Sequence, residues 1–412
     1  MSLLYEIINP DQVSRADLAV FIPSYEEAAN ISLPVAKVSL GLKKFFPDLA
    51  SVIVNCDNNS GDGTREAFFA AESGTPRVYV STPPGVRGKG ANLQNIFQLA
   101  ADFSARAVVM VDANLLSIKT TWIKSLAGPI LSGQAEYTSP LYVRQKLDAP
   151  VGRGLVYPMM RMLFGRRVLQ PICVDHAFSG RLNEIFRQRE WALDDRGYKS
   201  DLGLLSTAII NQASICQSFM AHPRISTVAS LDYDLPRSFS YVVRALFDLM
   251  IETWGFWRGV KRSRPTCMAG LDEPVPSPPP EAEGSRDYLL NGFIELGREF
   301  KPVWGQYFPP DLAAELAAGL TLAEGGGRPE MSIDLWRRVI FAAALAYKNA
   351  EPDGRLALSR ALAPLFLARE LVANLAFEGL TVGQTNSRVE EDALNFEMAR
   401  AELTTAWAAG AA

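Results

Sequence analysis

Apolar residues fall in two different periods along this chain. From Leu18 to Val111 they form short unbroken runs: LAVFIP at Leu18–Pro23, SVIVNC at Ser51–Cys56, RVYVS at Arg77–Ser81 and AVVMV at Ala107–Val111. Runs of that length and composition suit strands buried on both faces. Between them Glu26–Phe46, Thr64–Ser73 and Ala91–Ser104 read as helices, with Pro34 compatible only if a turn or a helix start falls there. Strands separated by helices of this size predict an α/β fold with a doubly wound, mainly parallel sheet. Ligands of such sheets sit at the C-terminal ends of the strands. Here each end hands over to polar residues, at Ser24–Glu26, Asp57–Asp62 and Asp112–Asn114.

The pattern then changes. Residues 133–222 are less regular, with a strand expected over Ala135–Tyr142 and a helix over Ser200–Gln212 that opens at Asp201. Pro236–Arg262 reads as a long helix. Residues 272–287, DEPVPSPPPEAEGSRD, are too rich in proline and acid to pack as element interior and read as a linker. Beyond it, Tyr288–Trp407 is rich in Ala and Leu at helical spacing, broken near Pro309–Pro310, Gly325–Pro329, Pro352–Gly354 and Gly379–Gln384. The expected domains are therefore 1–271, an α/β domain with trailing helices, the linker 272–287, and a helical C-terminal domain 288–412. The apolar stripes of that last domain bury against the α/β domain or against a second copy of the chain, which leaves a homodimer as one alternative.

Composition narrows the function. With 412 residues the chain has room for two or three domains. Lys+Arg number 41 against 45 Asp+Glu, a net charge of -4, which argues against a protein that coats nucleic acid. Two histidines exclude a histidine-rich metal cage, and four widely spaced cysteines without a CxxC pair fit neither a zinc ribbon nor a disulfide framework. A reducing, cytoplasmic setting is expected. Met1–Arg15 lacks the layout of a signal peptide. The longest apolar stretches, Phe239–Trp257 and Ala361–Leu380, are interrupted by Arg244, Asp248 and Glu252, and by Arg369 and Glu370, so no integral membrane segment is expected.

Four segments carry candidate chemistry. Pro23-Ser24-Tyr25-Glu26 follows the first strand; it reads either as a turn with acids at a helix start or as a cradle for a base and ribose. Asn55–Thr64, NCDNNSGDGT, is an Asx- and Gly-rich turn that places Asp57 at the end of the neighbouring strand. Gly85-Val86-Arg87-Gly88-Lys89-Gly90 precedes a helix. Its glycines admit close backbone approach, and Arg87, Lys89 and the helix N-terminus favour an anion, although the spacing is not that of a Walker A loop. Finally, Val108–Asn114 delivers Asp112 to the sheet edge, where a carboxylate suits a hard divalent cation shared with phosphate oxygens. Two residues on, Asn114 offers a carbonyl but no charge.

In this order, IPSYEEAANI, NCDNNSGDGT, RGKGANLQN and VDAN resemble the nucleotide-sugar glycosyltransferases of the GT-A fold. SPLYVRQKLD at Ser139–Asp148, Gln170-Pro171, DHAFS at Asp175–Ser179 and GYKSD ending at Asp201 extend the resemblance to the retaining mannosylglycerate, glucosylglycerate and glucosyl-phosphoglycerate synthases. That resemblance implies a GT-A domain and transfer of glucose or mannose from a GDP- or UDP-hexose to a small anionic acceptor such as glycerate or phosphoglycerate, with retention. It implies that Pro23, Tyr25, Glu26 and Asp57 hold the nucleoside. Arg87, Gly88, Lys89 and Gly90 would face the base or diphosphate. Asp112, Asn114 and His222 would hold Mg²⁺ or Mn²⁺, with Ser226 an alternative to His222. Asp201 would lie near the donor sugar and Arg144 near the acceptor. The chain departs from the family at Asn114, where a second acid is usual, and at Cys173-Val174, where a glycine pair is usual. Two rivals follow: an inverting transferase acting on a polyprenyl phosphate or polysaccharide, and a degenerate protein that binds the nucleotide sugar without turnover.

Overall fold

The computed structural model describes residues 3–192, 198–226, 234–270 and 286–410. It divides into two compact units: residues 1–143, 170–230 and 265–278, and residues 144–169, 231–264 and 279–412. The segments 144–169 and 231–264, kept with the α/β domain in the sequence reading, thus fall in the second, helical unit. The proline-rich segment lies outside the described residues as far as 285, and Arg286 and Asp287 already belong to a helix.

The first unit is built on one sheet. Its strands are β1 (Glu6–Ile8), β2 (Leu18–Ser24), β3 (Ser51–Asp57), β4 (Arg77–Ser81), β5 (Ala107–Met110), β6 (Tyr137–Leu141), β7 (His176–Ser179), β8 (Ile215–Phe219) and β9 (Cys267–Ala269). Their order is β1-β4-β3-β2-β5-β7-β6-β8-β9. The pairs β2–β3, β3–β4, β2–β5, β6–β8 and β8–β9 are parallel, whereas β1–β4, β5–β7 and β6–β7 are antiparallel. The mainly parallel α/β sheet expected from the apolar runs is present, made mixed by β1 and β7.

The four runs become strands because their residues are buried on both faces: Leu18, Val20, Ile22, Ile53 and Val109 on one side and Ala19, Phe21, Val52, Val54 and Val108 on the other are all fully buried. Helices α1 (Ser32–Phe45), α2 (Thr64–Ala70), α3 (Lys89–Asp102) and α4 (Thr121–Leu131) lie between or after them. Helix α1 starts six residues later than the pattern suggests. Glu26 has φ 56°, and the backbone N–H groups of residues 26–28 donate to side chains of Ser60, Thr64 and Asp62 after β3. Pro34 thereby falls in the first turn, where its missing N–H costs nothing.

The second unit is helical. Arg286–Tyr307, Pro310–Glu324, Ile333–Asn349, Pro352–Ala361, Ala363–Ala376, Val382–Met398 and Arg400–Ala409 follow one another, joined by Leu235–Glu252 and Tyr157–Phe164. Breaks occur near the four expected places, and two more fall at Leu362 and Ala399, where the sequence pattern predicts none; at Thr381 a capping box with Gln384 opens the next helix. Phe239 stacks on Phe366 with ring centroids 4.3 Å apart, and the indole N–H of the buried Trp336 donates to the Gly154 carbonyl at 2.9 Å. No helix among the described residues is long and apolar enough to cross a membrane.

A buried guanidinium ties this unit together. Arg161, 2% exposed, donates to Glu390 at 2.9 Å and to Glu397 at 2.8 Å. Burial pushes the Glu397 carboxyl up, but hydrogen bonds from Ser263 and Arg161 outweigh it and hold it below its ordinary value. Its contribution to stability is therefore complete above the unfolded value of about 4.3 and is lost as pH falls through the lower folded value. Arg161→Met removes the nearer of the two cations on Glu397, leaving Arg400 at 3.7 Å, and should cost roughly 2 kcal/mol, read as a lowered melting temperature at pH 7.

Candidate active site

Two loops at the C-terminal edge of β2 and β3 are locked by one carboxylate. Asp57 is 1% exposed. Its Oδ1 accepts from the hydroxyls of Ser24 at 2.6 Å and Ser60 at 2.7 Å. Its Oδ2 accepts from the Ser60 N–H at 2.7 Å and the Tyr79 hydroxyl at 3.1 Å. A second clamp runs through Asp62, which accepts from the backbone N–H of Ala28 at 3.0 Å and from both the N–H and hydroxyl of Thr64. The Asx- and Gly-rich turn is thus a brace for the Tyr25–Ala28 loop. Above that loop the Arg87 guanidinium lies over the Tyr25 ring, 4.6 Å from its centroid.

The glycine loop leads directly into α3. Gly88 has φ 116° and caps the helix without a side chain, so the first-turn N–H groups are not satisfied by a capping residue. A Cβ on Gly90 would lie 1.9 Å from the Ala192 carbonyl oxygen, so only glycine fits there. Lys89, the first residue of α3, forms an ion pair with Asp201 Oδ1; the two side chains are 13% and 5% exposed. Asp201 sits in the first turn of the helix Tyr198–Ile210.

A third cluster follows β5. Because β7 runs antiparallel to β5, with Met110 opposite His176, it brings Asp175 beside Asp112. The Asp112 N–H donates to Asp175 Oδ1 at 3.0 Å. Arg224 bridges both acids, Nε to Asp175 at 3.1 Å and Nη2 to Asp112. The Tyr142 hydroxyl completes the set on Asp175. Burial pushes the Asp112 carboxyl up, and Arg224 opposes that shift. Burial alone would weaken the guanidinium's hold on its proton, but Asp175 and Asp112 outweigh it. Asn114, 6% exposed, donates to Glu27 Oε1 at 3.3 Å, while its own Oδ1 is buried without a hydrogen-bond partner.

No protein-family model matches the chain, and no curated protein matches it. Solved structures do. One is a crystal structure of glucosyl-3-phosphoglycerate synthase from Mycobacterium tuberculosis in complex with Mn²⁺, uridine diphosphate and glucosyl-3-phosphoglycerate, 25% identical with a TM-score of 0.45; the match covers 57% of this chain and 79% of that chain. Another, of the same enzyme with Mn²⁺, UDP-glucose and phosphoglyceric acid, is 25% identical with a TM-score of 0.43 over 57% of this chain and 79% of that one. A third, with Mg²⁺ and uridine diphosphate, is 25% identical with a TM-score of 0.44 over the same shares.

Of the residues singled out in the sequence, Pro23 is the penultimate residue of β2 and Asp57 the last of β3, and Tyr25, Glu26, Arg87, Gly88, Lys89, Gly90, Asp112, Asn114 and Asp201 lie in loops and helix starts of the first unit. Asp57 differs from the expectation of a nucleoside contact: its oxygens already accept four hydrogen bonds from within the protein. His222 lies in a bend where its carbonyl accepts from Val143 at 3.2 Å, and the side chain brought onto Asp112 is that of Arg224. Arg144 belongs to the second unit. Gly197, which opened the GYKSD motif, lies outside the described residues.

Arg224 was missed, and Asp175 was noted only as the first residue of the DHAFS segment, with no role of its own. Arg224 is placed by the segment after it: Leu116 N–H donates to the Ile225 carbonyl at 2.9 Å, the Ile225 N–H donates to the Ser117 hydroxyl at 2.9 Å, and Leu115 bridges Ser226. Only the proximity of a basic residue to His222 and Ser226 hinted at this. Arg224→Met leaves two acids without their cation and should destabilise the protein by roughly 3 kcal/mol. Arg224→Lys should recover only part of that, because a single ammonium cannot reproduce the two-pronged contact. Thermal melts of both variants measure the difference.

Proposed function

We propose that this chain is a glycosyltransferase that moves a hexose, glucose or mannose, from a GDP- or UDP-sugar to a small acidic acceptor such as glycerate or phosphoglycerate, with retention. The observation that carries the reading is the convergence, at one sheet edge, of an uncapped helix N-terminus bearing Lys89 with the carboxylates of Asp112 and Asp201. The first pair suits the diphosphate of a nucleotide sugar. The carboxylates suit the positive charge that develops on a sugar ring as its anomeric bond breaks. Donor base, sugar and acceptor follow the sequence resemblance rather than the geometry.

A divalent cation belongs to that reading, and the residues fit one modestly. Asn114 Oδ1 is a buried oxygen acceptor without a partner, and Arg224 engages Asp112 through Oδ2. Among the described residues no group of three or more His, Cys, Asp or Glu could form a cage. Asp112 and Asn114 would therefore hold a Mg²⁺ or Mn²⁺ that takes its remaining ligands from phosphate and water, as hard cations with few protein ligands do. When bound, such a cation supplies Lewis-acid stabilisation to the leaving diphosphate.

The chain's own groups supply the rest. The α3 N-terminus and Lys89 attract the diphosphate and stabilise the charge it gains on leaving. Tyr25 and Glu26, on a loop braced by Asp57 and Asp62, line the side where a nucleoside is expected. Asp201 presents a carboxylate to the sugar. In a retaining reaction the acceptor hydroxyl enters on the face the diphosphate leaves, so its proton passes to the departing phosphate and no histidine base is required.

The test is a panel of UDP- and GDP-hexoses against glycerate and phosphoglycerate, with the product anomer determined. Transfer with retention is expected. Lys89→Met should lower kcat/KM by on the order of a hundredfold or more, the loss of one electrostatic donor to a developing anion. Chelation by EDTA should weaken UDP binding in calorimetry. Nucleotide binding indifferent to Mg²⁺ and Mn²⁺, with neither transfer nor hydrolysis from any donor, identifies a binding protein without turnover and refutes the proposal.

A further inference from the structure

One of the two histidines is buried beside this site with half its hydrogen-bonding capacity unused. His176 is 1% exposed. Its Nδ1 shares a hydrogen bond of 2.7 Å with the Tyr137 hydroxyl. Its Nε2 is buried without a hydrogen-bond partner, yet lies 3.7 Å from Asp201 Oδ1. That oxygen is the one Lys89 holds. Lys89 and His176 therefore approach the same carboxylate oxygen, one in contact and one just beyond hydrogen-bond reach.

We infer that His176 is a positioning residue for Asp201, taking over its carboxylate when Lys89 turns to the donor diphosphate. The inference rests on the transferase reading given above. Asp201 is 3% exposed, and a carboxylate so buried is costly to leave without a partner. The Lys89 ammonium has three N–H donors, and each one it turns to an incoming diphosphate is lost to Asp201. A closing movement of under about 1 Å brings Nε2 to the ordinary hydrogen-bond distance from Oδ1.

The tautomer follows from the surroundings. A carboxylate facing Nε2 favours the form with the proton on Nε2, so Nδ1 accepts and Tyr137 donates. Tyr137 is suited to that, because burial, reinforced by Asp201, keeps its hydroxyl protonated. Tyr137 lies on β6, His176 on β7 and Asp201 on the helix Tyr198–Ile210, so the relay spans three elements of the first unit. No proton need leave the chain: Lys89 exchanges one anion for another, and a neutral imidazole N–H replaces it at Asp201. The carboxylate then stays aimed while the sugar reacts.

With only two histidines in the chain, imidazole NMR reads this directly. The His176 signal is identified by its absence from His176→Phe or His176→Gln protein. The expected result is that it shifts on adding UDP with Mg²⁺ to the wild type. It should sit at the shifted position in Lys89→Met before any nucleotide is added. His176→Phe should lower kcat by up to about a hundredfold, with little change in donor KM. His176→Gln, which keeps an N–H donor, should recover part of the loss. Three results overturn the inference while leaving the transferase reading intact: UDP binding and transfer with an unmoved His176 signal, an unshifted signal in Lys89→Met, or equal kcat for Phe and Gln variants. Absence of UDP binding in calorimetry together with absence of transfer from every donor overturns both.

Discussion

Acids gathered at one sheet edge must be compensated, and the architecture of the first unit follows from how that is done. Parallel pairing of β2, β3 and β5 carries their C-terminal ends to the same side, and with them Asp57 and Asp112. The antiparallel β7 adds Asp175, and the helix Tyr198–Ile210 adds Asp201. Like charges at that spacing, out of water, repel strongly and lose hydration. Each is accordingly given its own remedy: hydroxyls and an amide for Asp57, Arg224 for Asp112 and Asp175, Lys89 for Asp201. Those partners come from distant parts of the chain, so satisfying the acids also ties together segments remote in sequence.

The same remedies are what make the edge suited to a ligand. Arg224 and Lys89 face those carboxylates and stay partly accessible, with side chains 21% and 13% exposed. The diphosphate of the proposed reaction would meet preorganised positive charge there. The glycines at 88 and 90 serve this arrangement in different ways. The first adopts a backbone conformation closed to other residues, and the second lets α3 pass against the Ala192 carbonyl.

How much was legible in the sequence differs by element. The strands from Leu18 to Met110 stood out because burial on both faces forces unbroken apolar runs. Strands β7 and β8 did not, since HAFS and ICQSF are short and mix polar with apolar residues; their place depends on partners already in the sheet. Residues that follow a strand, such as Asp112 and Lys89, were found from local pattern. Arg224 was not, because nothing local marks it: three backbone and side-chain bonds to residues 115–117 aim it, and those partners lie over a hundred positions earlier. His176 stood in the DHAFS segment and read as a pocket or packing residue, not a base; its relation to Asp201 needs the antiparallel register of β7.

Asp57 and Asp112 show why position alone does not assign a role. Both follow an apolar strand, both lie at the same edge, and a motif reading treats them alike. Asp57 has four hydrogen bonds from Ser24, Ser60 and Tyr79, and a carboxylate with both oxygens so engaged has little left to offer a ligand. Asp112 meets Arg224 through one oxygen, stands beside the unpartnered Asn114 Oδ1, and has its carboxyl raised by burial against the pull of the guanidinium. Unspent capacity, not location, separates the brace from the reactive group. By that criterion the proposed chemistry of this edge would centre on Asp112, Asn114, Lys89 and Asp201, and the Asx-rich turn braces the Tyr25–Ala28 loop.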